Sequence, residues 1–425
     1  MRKYIIEDTR LIAPFNESAR DLRILNKPLW LAQRDALAPY TRVERVVSRL
    51  ENIPEDRVET IIHRDNLFFD KAFIDEFIRR ARESKKACRV AFELGDKAIE
   101  EHALRLQSGI RREGNNYVAD LWYFPHGREE NVRPLVMQTL ADEKGYYNVP
   151  RYMAPNQGDL VYQVPQRAFL SIEHWLHLFI ANITFGVFAE GARAEKQLDR
   201  VGFKLKVLWR AMLEHRQVLA SSALVKKGRN VHIHPSAVIL GPTVIGDNVT
   251  IDAGAVIDVC HIGNNVTVSE GCQLLLSVVS DGCFLPFRAA LFQTTLMENT
   301  MVAQNTCLQM CVIGRDTFIG AGNTFTDFNM IPKPIRTFHR DRLEEVGMPV
   351  IGGCVGHNCR IGSGLVIFPA RTIESDVMLV GDREERVLTH SVTYDQSDHH
   401  KIPGAHELFP AQYQHKVSQS TNNQV

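Results

Sequence analysis

The chain has 425 residues, with Lys+Arg and Asp+Glu equal at 50 each and a formal charge of zero. That length exceeds what one compact core usually holds, so two domains are expected. The lack of a basic excess argues against a nucleic-acid binder, and the apolar fraction of 44% is ordinary for a soluble globular protein.

Residues 1–165 read as a mixed α/β domain. Lys3–Ile6 is a buried strand, and Ile24–Leu37 is helical in part, with Pro28 near its start. Arg57–Ile62 reads as a second strand, running into a turn at Asp65-Asn66. Asp70–Ser84 is an amphipathic helix with Phe73, Ile74, Phe77 and Ile78 on one face. Strands follow at Lys86–Leu94 and Tyr117–Phe124. Strand, helix, strand in this order predicts a parallel sheet with covering helices. The N-terminal MRKYIIEDTR lacks the long apolar run of a signal peptide.

Residues 166–230 read as a helical connector, ending in a linker at Leu224–Asn230. Its apolar window, His174–Phe188, is short for a membrane span and holds histidines. His174-x-x-His177 puts two imidazoles on one helical face, but no third ligand accompanies them, so a structural role is expected.

From 231 to 387 the pattern changes. Ile233, Ile239, Ile245, Ile251 and Ile257 recur every sixth residue, and after a slip the beat resumes at Ile262, Val268 and Leu274. It returns at Cys307, Ile313, Ile319 and Phe325, and again at Val355, Ile361, Ile367 and Ile373. A period of six is neither helical nor a simple strand alternation. It fits short strands and tight turns, three to a triangular coil, about seven coils in all. Residues 332–349 break the beat and read as a loop ejected from a corner, of the kind that covers a site between subunits. The eight cysteines form no C-x-x-C pair; buried free thiols in a reducing cytoplasm are expected. The polar tail, 388–425, ends in a segment expected to be disordered.

An α/β domain, helices and a hexapeptide β-helix in this order resemble the bifunctional sugar-1-phosphate nucleotidyltransferase/acetyltransferase family. The N-terminal resemblance lies in Thr9-Arg10-Leu11, Pro14-Phe15-Asn16 and Leu25-Asn26-Lys27-Pro28-Leu29. Ile5-Ile6-Glu7-Asp8 stands where the family has glycines that approach nucleotide phosphates. The resemblance implies that Arg10 and Lys27 handle phosphate, with Arg20 or Arg23 in place of a further lysine. It implies that Asp65 holds Mg²⁺. Taken alone, Asp65-Asn66 is equally a turn. In the β-helix, IGAGNTFTDFN (Ile319–Asn329) resembles the family's acetyltransferase segment, which also precedes a loop, and Gly352–Val377 resembles the terminal coils that receive acetyl-CoA. Gln304 stands where the family has its catalytic histidine, and Gln does not accept a proton near neutral pH. Cys307 replaces a tyrosine and Asp327 an asparagine.

The resemblance implies a left-handed β-helix, a homotrimer, cytoplasmic localisation, and the joining of a nucleoside triphosphate to a sugar 1-phosphate. Arg288 and Arg315 are candidates for an anion in a groove between subunits, and His339 in the ejected loop is a further substrate-site candidate. His232, His234, His261 and His357 could also serve as a base, although each is more often a surface or corner residue. Two other readings stand beside this one. The chain could be an acyltransferase using acetyl-CoA, or a trimeric scaffold without catalysis.

Overall fold

The computed structural model describes residues 1–54, 56–148, 159–215, 217–330, 333–340, 342–381 and 386–415. The elements of the N-terminal domain used below are β1 (Arg2–Ile6), α1 (Leu29–Leu37), β2 (Val43–Val47), β3 (Thr60–Arg64), α2 (Lys71–Ser84), β4 (Cys88–Glu93), β5 (Asn116–Phe124) and β6 (Arg133–Met137). Asp70 caps α2 by accepting from the Phe73 amide at 2.8 Å. The apolar face of α2, Phe73, Ile74, Phe77 and Ile78, is fully buried.

The main sheet runs β6-β4-β5-β3-β1-β2, with β1 parallel to both β2 and β3. The expectation of an all-parallel sheet fails at β5, which is antiparallel to β3 and β4. Its residues 118–124 are all buried, so the run looks the same in either direction. The second expected strand also sits later, at Thr60–Arg64 rather than Arg57–Ile62.

The connector holds α3 (Trp175–Asn182), a π-turn (Ile183–Val187), α4 (Phe188–Leu198) and α5 (Val201–Leu213). Trp175–Leu198 together is long and apolar enough to cross a membrane, but 83% of its apolar window is buried inside the protein. It is the central core helix between the two domains.

The C-terminal part is a left-handed parallel β-helix of three eight-stranded faces. Face one runs from Val225–Lys227 to Thr372–Ile373, face two from His232–Ile233 to Met378–Leu379, and face three from Val238–Leu240 to Val387–Leu388. Leu224–Asn230 is therefore not a free linker: Val225 pairs with Thr243 and starts face one. Ile245, Ile262, Val279, Leu296 and Ile313 stack inward along that face.

The slip at Ile257 recurs through the middle coils. Successive strands there pair at a separation of 17 residues, as His261 with Val278 and Val278 with Thr295. The short corner lies between faces three and one. It is turned by Val259, Leu276, Gln293 and Met310, all at positive φ between 48° and 53°.

Outward residues of face one, Val278, Val312 and Cys354, lie in the same apolar core as Phe15, Leu29, Phe179 and Phe185 of the N-terminal domain and connector. The ejected segment forms a hairpin, Arg336–His339 with Arg342–Glu345. It folds back onto this chain's own N-terminal domain, where Ile335, Val346 and Met348 join the shared core. Of the tail, 416–425 lies outside the described residues. The part before it is ordered: buried Asp376 accepts hydrogen bonds from the amides of Gln412 and Tyr413, each at 2.9 Å. All eight cysteines are free, and all but Cys307 are buried.

Candidate functional site

The chain leaves β1 toward β2 on one side and later returns to β3 on the other. A parallel sheet that reverses direction in this way opens a crevice at the carboxyl ends of the two strands, where α/β proteins bind ligands. Asp8 lies just after β1 and Asp65 immediately after β3. The Asp8 amide donates to Asp65 Oδ1 at 2.9 Å. Gln33 on α1 holds the turn by donating to the Asp65 and Leu67 carbonyls, at 2.9 and 2.6 Å. Asp65 is 2% exposed, and its Oδ2 has no hydrogen-bond partner. Arg20 Nη1 lies 3.6 Å away. Burial pushes this carboxyl up to about 6, against the Asp8 amide and the Arg20 charge, which lower it.

Arg10 is held from two sides. Its Nε donates to both Asp8 oxygens, at 2.9 and 3.0 Å, and Nη1 reaches Glu173. Glu173 also accepts from the amides of Ser108 and Gly109, at 3.0 and 2.6 Å, and pairs with Arg340 of the hairpin at 3.5 Å. Burial alone would raise Glu173, but the Arg10 charge and the Ser108 and Ser171 bonds bring it down to about 2. Beyond Arg340 a cleft of about 580 Å³ opens, lined by Arg105, Gln107, His339, Arg340 and Arg342. His339 packs edge-on against His174, with ring centroids 5.6 Å apart. The β-helix thus supplies one wall of the N-terminal site region.

His174 and His177 are structural, as expected. His177 Nδ1 accepts from the Glu173 and His174 amides, both at 3.0 Å, so Nε2 carries the proton donated to the Arg105 carbonyl at 2.7 Å. His174 Nδ1 accepts from the Leu176 amide. Together they cap α3.

The crevice gathers Arg10, Arg20 and Asp65, with His339 at the neighbouring cleft. Other candidate residues lie elsewhere. Lys27 pairs with Asp35 at 2.8 Å on an exposed surface. Arg23 turns to the β-helix and pairs with Glu298. Arg288 is exposed at the corner between faces two and three, with φ +62°. Gln304 is at that same corner, its carbonyl accepting from Gly322 N. Asp327 sits on a different edge, between faces three and one, with the Gln309 side-chain amide beside it. Gln304 and Asp327 do not meet within one chain. Arg315 is no groove residue: it makes two bonds to Glu17 of the N-terminal domain, at 2.7 and 2.8 Å. His357 is fully buried beside them, 3.3 Å from Glu17.

Sequence reasoning missed Glu173, Asp8, Arg340 and Glu17. Glu173, Arg340 and Glu17 are single charged residues whose partners lie far away in the chain, and Asp8, although it holds Arg10 two residues on, meets Asp65 only through folding.

Residues 228–259 match the family described as bacterial transferase hexapeptide (six repeats). The bifunctional protein GlmU of Geotalea uraniireducens (strain Rf4) is 40% identical over 57 residues, 13% of this chain and 12% of that protein. GlmU of Acaryochloris marina (strain MBIC 11017) is 25% identical over 188 residues, 39% of this chain and 40% of that one. The mitochondrial gamma carbonic anhydrase 2 of Arabidopsis thaliana is 28% identical over 177 residues, 40% of this chain and 57% of that protein. The chain thus spans between 12% and 57% of the length of these relatives. With three stacked parallel faces behind an α/β domain, the chain carries hexapeptide repeats and is similar to the GlmU proteins over the matched stretches.

Proposed function

We propose that this protein is a sugar nucleotidyltransferase whose site is the crevice between β1 and β3. In the reaction, a sugar 1-phosphate oxygen attacks the α-phosphorus of a nucleoside triphosphate, and pyrophosphate leaves. One observation carries the reading: Asp65 places a buried carboxylate oxygen without a hydrogen-bond partner at the point where such folds bind ligands. A carboxyl so placed favours a cation. Among the described residues no cluster of three His, Cys, Asp or Glu could hold a metal alone. Mg²⁺ asks for less, because one or two carboxylates suffice when substrate phosphates complete its shell. Asp65 fits that requirement, and the ion would neutralise charge on the phosphates when bound.

Arg20, adjacent to Asp65, is the residue placed to pair with phosphate. Arg10 is fixed by Asp8 and Glu173, so its role is to hold the crevice wall in place. The reading also takes support from the GlmU relatives, which are bifunctional by name. The test is pyrophosphate release over a panel of triphosphates and sugar 1-phosphates with Mg²⁺. Release that Asp65→Asn strongly reduces is expected, and none across the panel overturns the reading.

The proposed assembly is a homotrimer through faces two and three, since the chain's own core fills face one. Phe284 on face two and Phe287 at its corner are 41% and 49% exposed, which a neighbouring subunit would cover. Sedimentation at the monomer mass overturns this. No observation favours acyl transfer over nucleotidyl transfer; calorimetry with acetyl-CoA tests it.

A further inference from the structure

Helix α5 exposes what a helix ordinarily buries. Val201 is 73% exposed, and Leu205, Trp209, Met212 and Leu213 are each at 59–60%. Leu208 joins them. Only Val207 and Ala211 are buried, where α5 packs on α4 and on the short turn at 218–220. At 100° per residue the six exposed apolar side chains span an arc of roughly 140°. Lys204 flanks one margin of that arc and Lys206 the other. Arg210 lies further round, and no Asp or Glu occurs between 201 and 213. Val218 and Leu219, on the turn against α5, extend the apolar surface.

Two occupants could cover such a stripe. A second copy would set stripe against stripe and bring the flanking lysines together, with no acid on the helix to offset them. An anionic lipid surface satisfies both features at once. The apolar arc enters the acyl boundary, the lysine stems lie along it, and the ammonium groups reach the headgroups. Trp209, amphipathic and central, belongs at that depth. The helix is about 20 Å long, less than the roughly 30 Å of a hydrocarbon core, so it lies in the surface rather than crossing it. We infer that α5, with Val218 and Leu219, docks this protein on the surface of an anionic membrane.

The experiment uses the full chain and vesicles of phosphatidylcholine with or without phosphatidylglycerol. The wild-type protein should co-sediment with the anionic vesicles only, and less so as salt rises. Its tryptophan emission should shift to the blue, and brominated lipid should quench part of it. Leu205→Glu with Trp209→Glu should weaken binding at least about tenfold and remove that quenching. Lys204→Glu with Lys206→Glu should abolish the preference for anionic lipid. All four residues are exposed, so thermal unfolding of both variants should match wild type. Failure of wild type to bind anionic vesicles overturns the inference. So does binding that neither variant alters. If the apolar variant instead lowers the oligomeric mass while vesicle binding persists, a second copy is the occupant and the lipid proposal falls.

Discussion

Two regions of this molecule hold buried charge, and they handle it in opposite ways. At the seam between the domains, Glu17 receives two bonds from Arg315, Glu298 faces both Arg23 and Arg315, and His357 lies against Glu17. Every carboxylate there has a cation. Burial would raise Glu17, but His357 and Arg315 bring it down to about 2. At the crevice, Asp65 is more deeply placed, with the Asp8 amide as its donor and Arg20 no closer than 3.6 Å, and its carboxyl moves the other way, to about 6. The seam joins two domains, whereas the crevice carries a deficit that a ligand can relieve.

This contrast can be broken most severely at the seam. Arg315→Ala leaves Glu17 and Glu298 without their shared partner and should cost about 3–5 kcal/mol, read as a drop in the denaturant midpoint. Glu17→Gln added to it should recover part of the loss; if the first variant costs nothing, the seam is not what joins the domains. At the crevice the effect should fall on activity. Asp65→Asn should reduce pyrophosphate release on the order of 100-fold while the protein stays folded.

The same residue sharpens the contrast through pH. Asp65 is harder to ionise folded than unfolded, so between about pH 4 and pH 6 the folded state binds more protons and stability falls as pH rises. The deficit remains above pH 6 and amounts to about 3 kcal/mol. Asp65→Asn should therefore unfold at a higher temperature than wild type at pH 8, and the two should converge at pH 4. Glu17 has the opposite sign: its contribution is complete above about pH 4.5 and is lost as pH falls toward 2. The smallest effect belongs to an exposed pair. Arg229 bonds Asp247 at 2.8 Å with its side chain 92% exposed, and Arg229→Ala should leave the midpoint unchanged.

The β-helix was legible because its information is local. One inward apolar residue every sixth position is visible without any knowledge of what it touches, and the single slip at Ile257 marked the short corner. What that slip could not show was its repetition at Leu276, Gln293 and Met310, since none of these is a residue that prefers positive φ. Val225 was hidden in a polar stretch because only one of its three strand residues is buried. The crevice was legible in part. Asp65 follows an apolar strand, so its place at a carboxyl end could be read. Arg20 stood there only as one of two arginines, and Asp8, Glu173 and Arg340 could not be read as neighbours of Asp65, because they come from separate stretches joined only by folding. Arg10 and Lys27 matched a motif, but no motif records that Asp8 and Asp35 are their partners.

The docking of face one also limits how this protein can change its length over evolution. Coiled repeat proteins commonly grow or shrink by whole coils, since each coil contacts only its neighbours. Here a coil duplicated between Val278 and Cys354 would move Glu298, Arg315 and His357 by about 4.8 Å relative to one another. They could no longer all meet Arg23 and Glu17. A coil added near Ile233 would require only a longer connector. Lineages of this protein should therefore vary in coil number at the start of the β-helix and hold it constant through the middle.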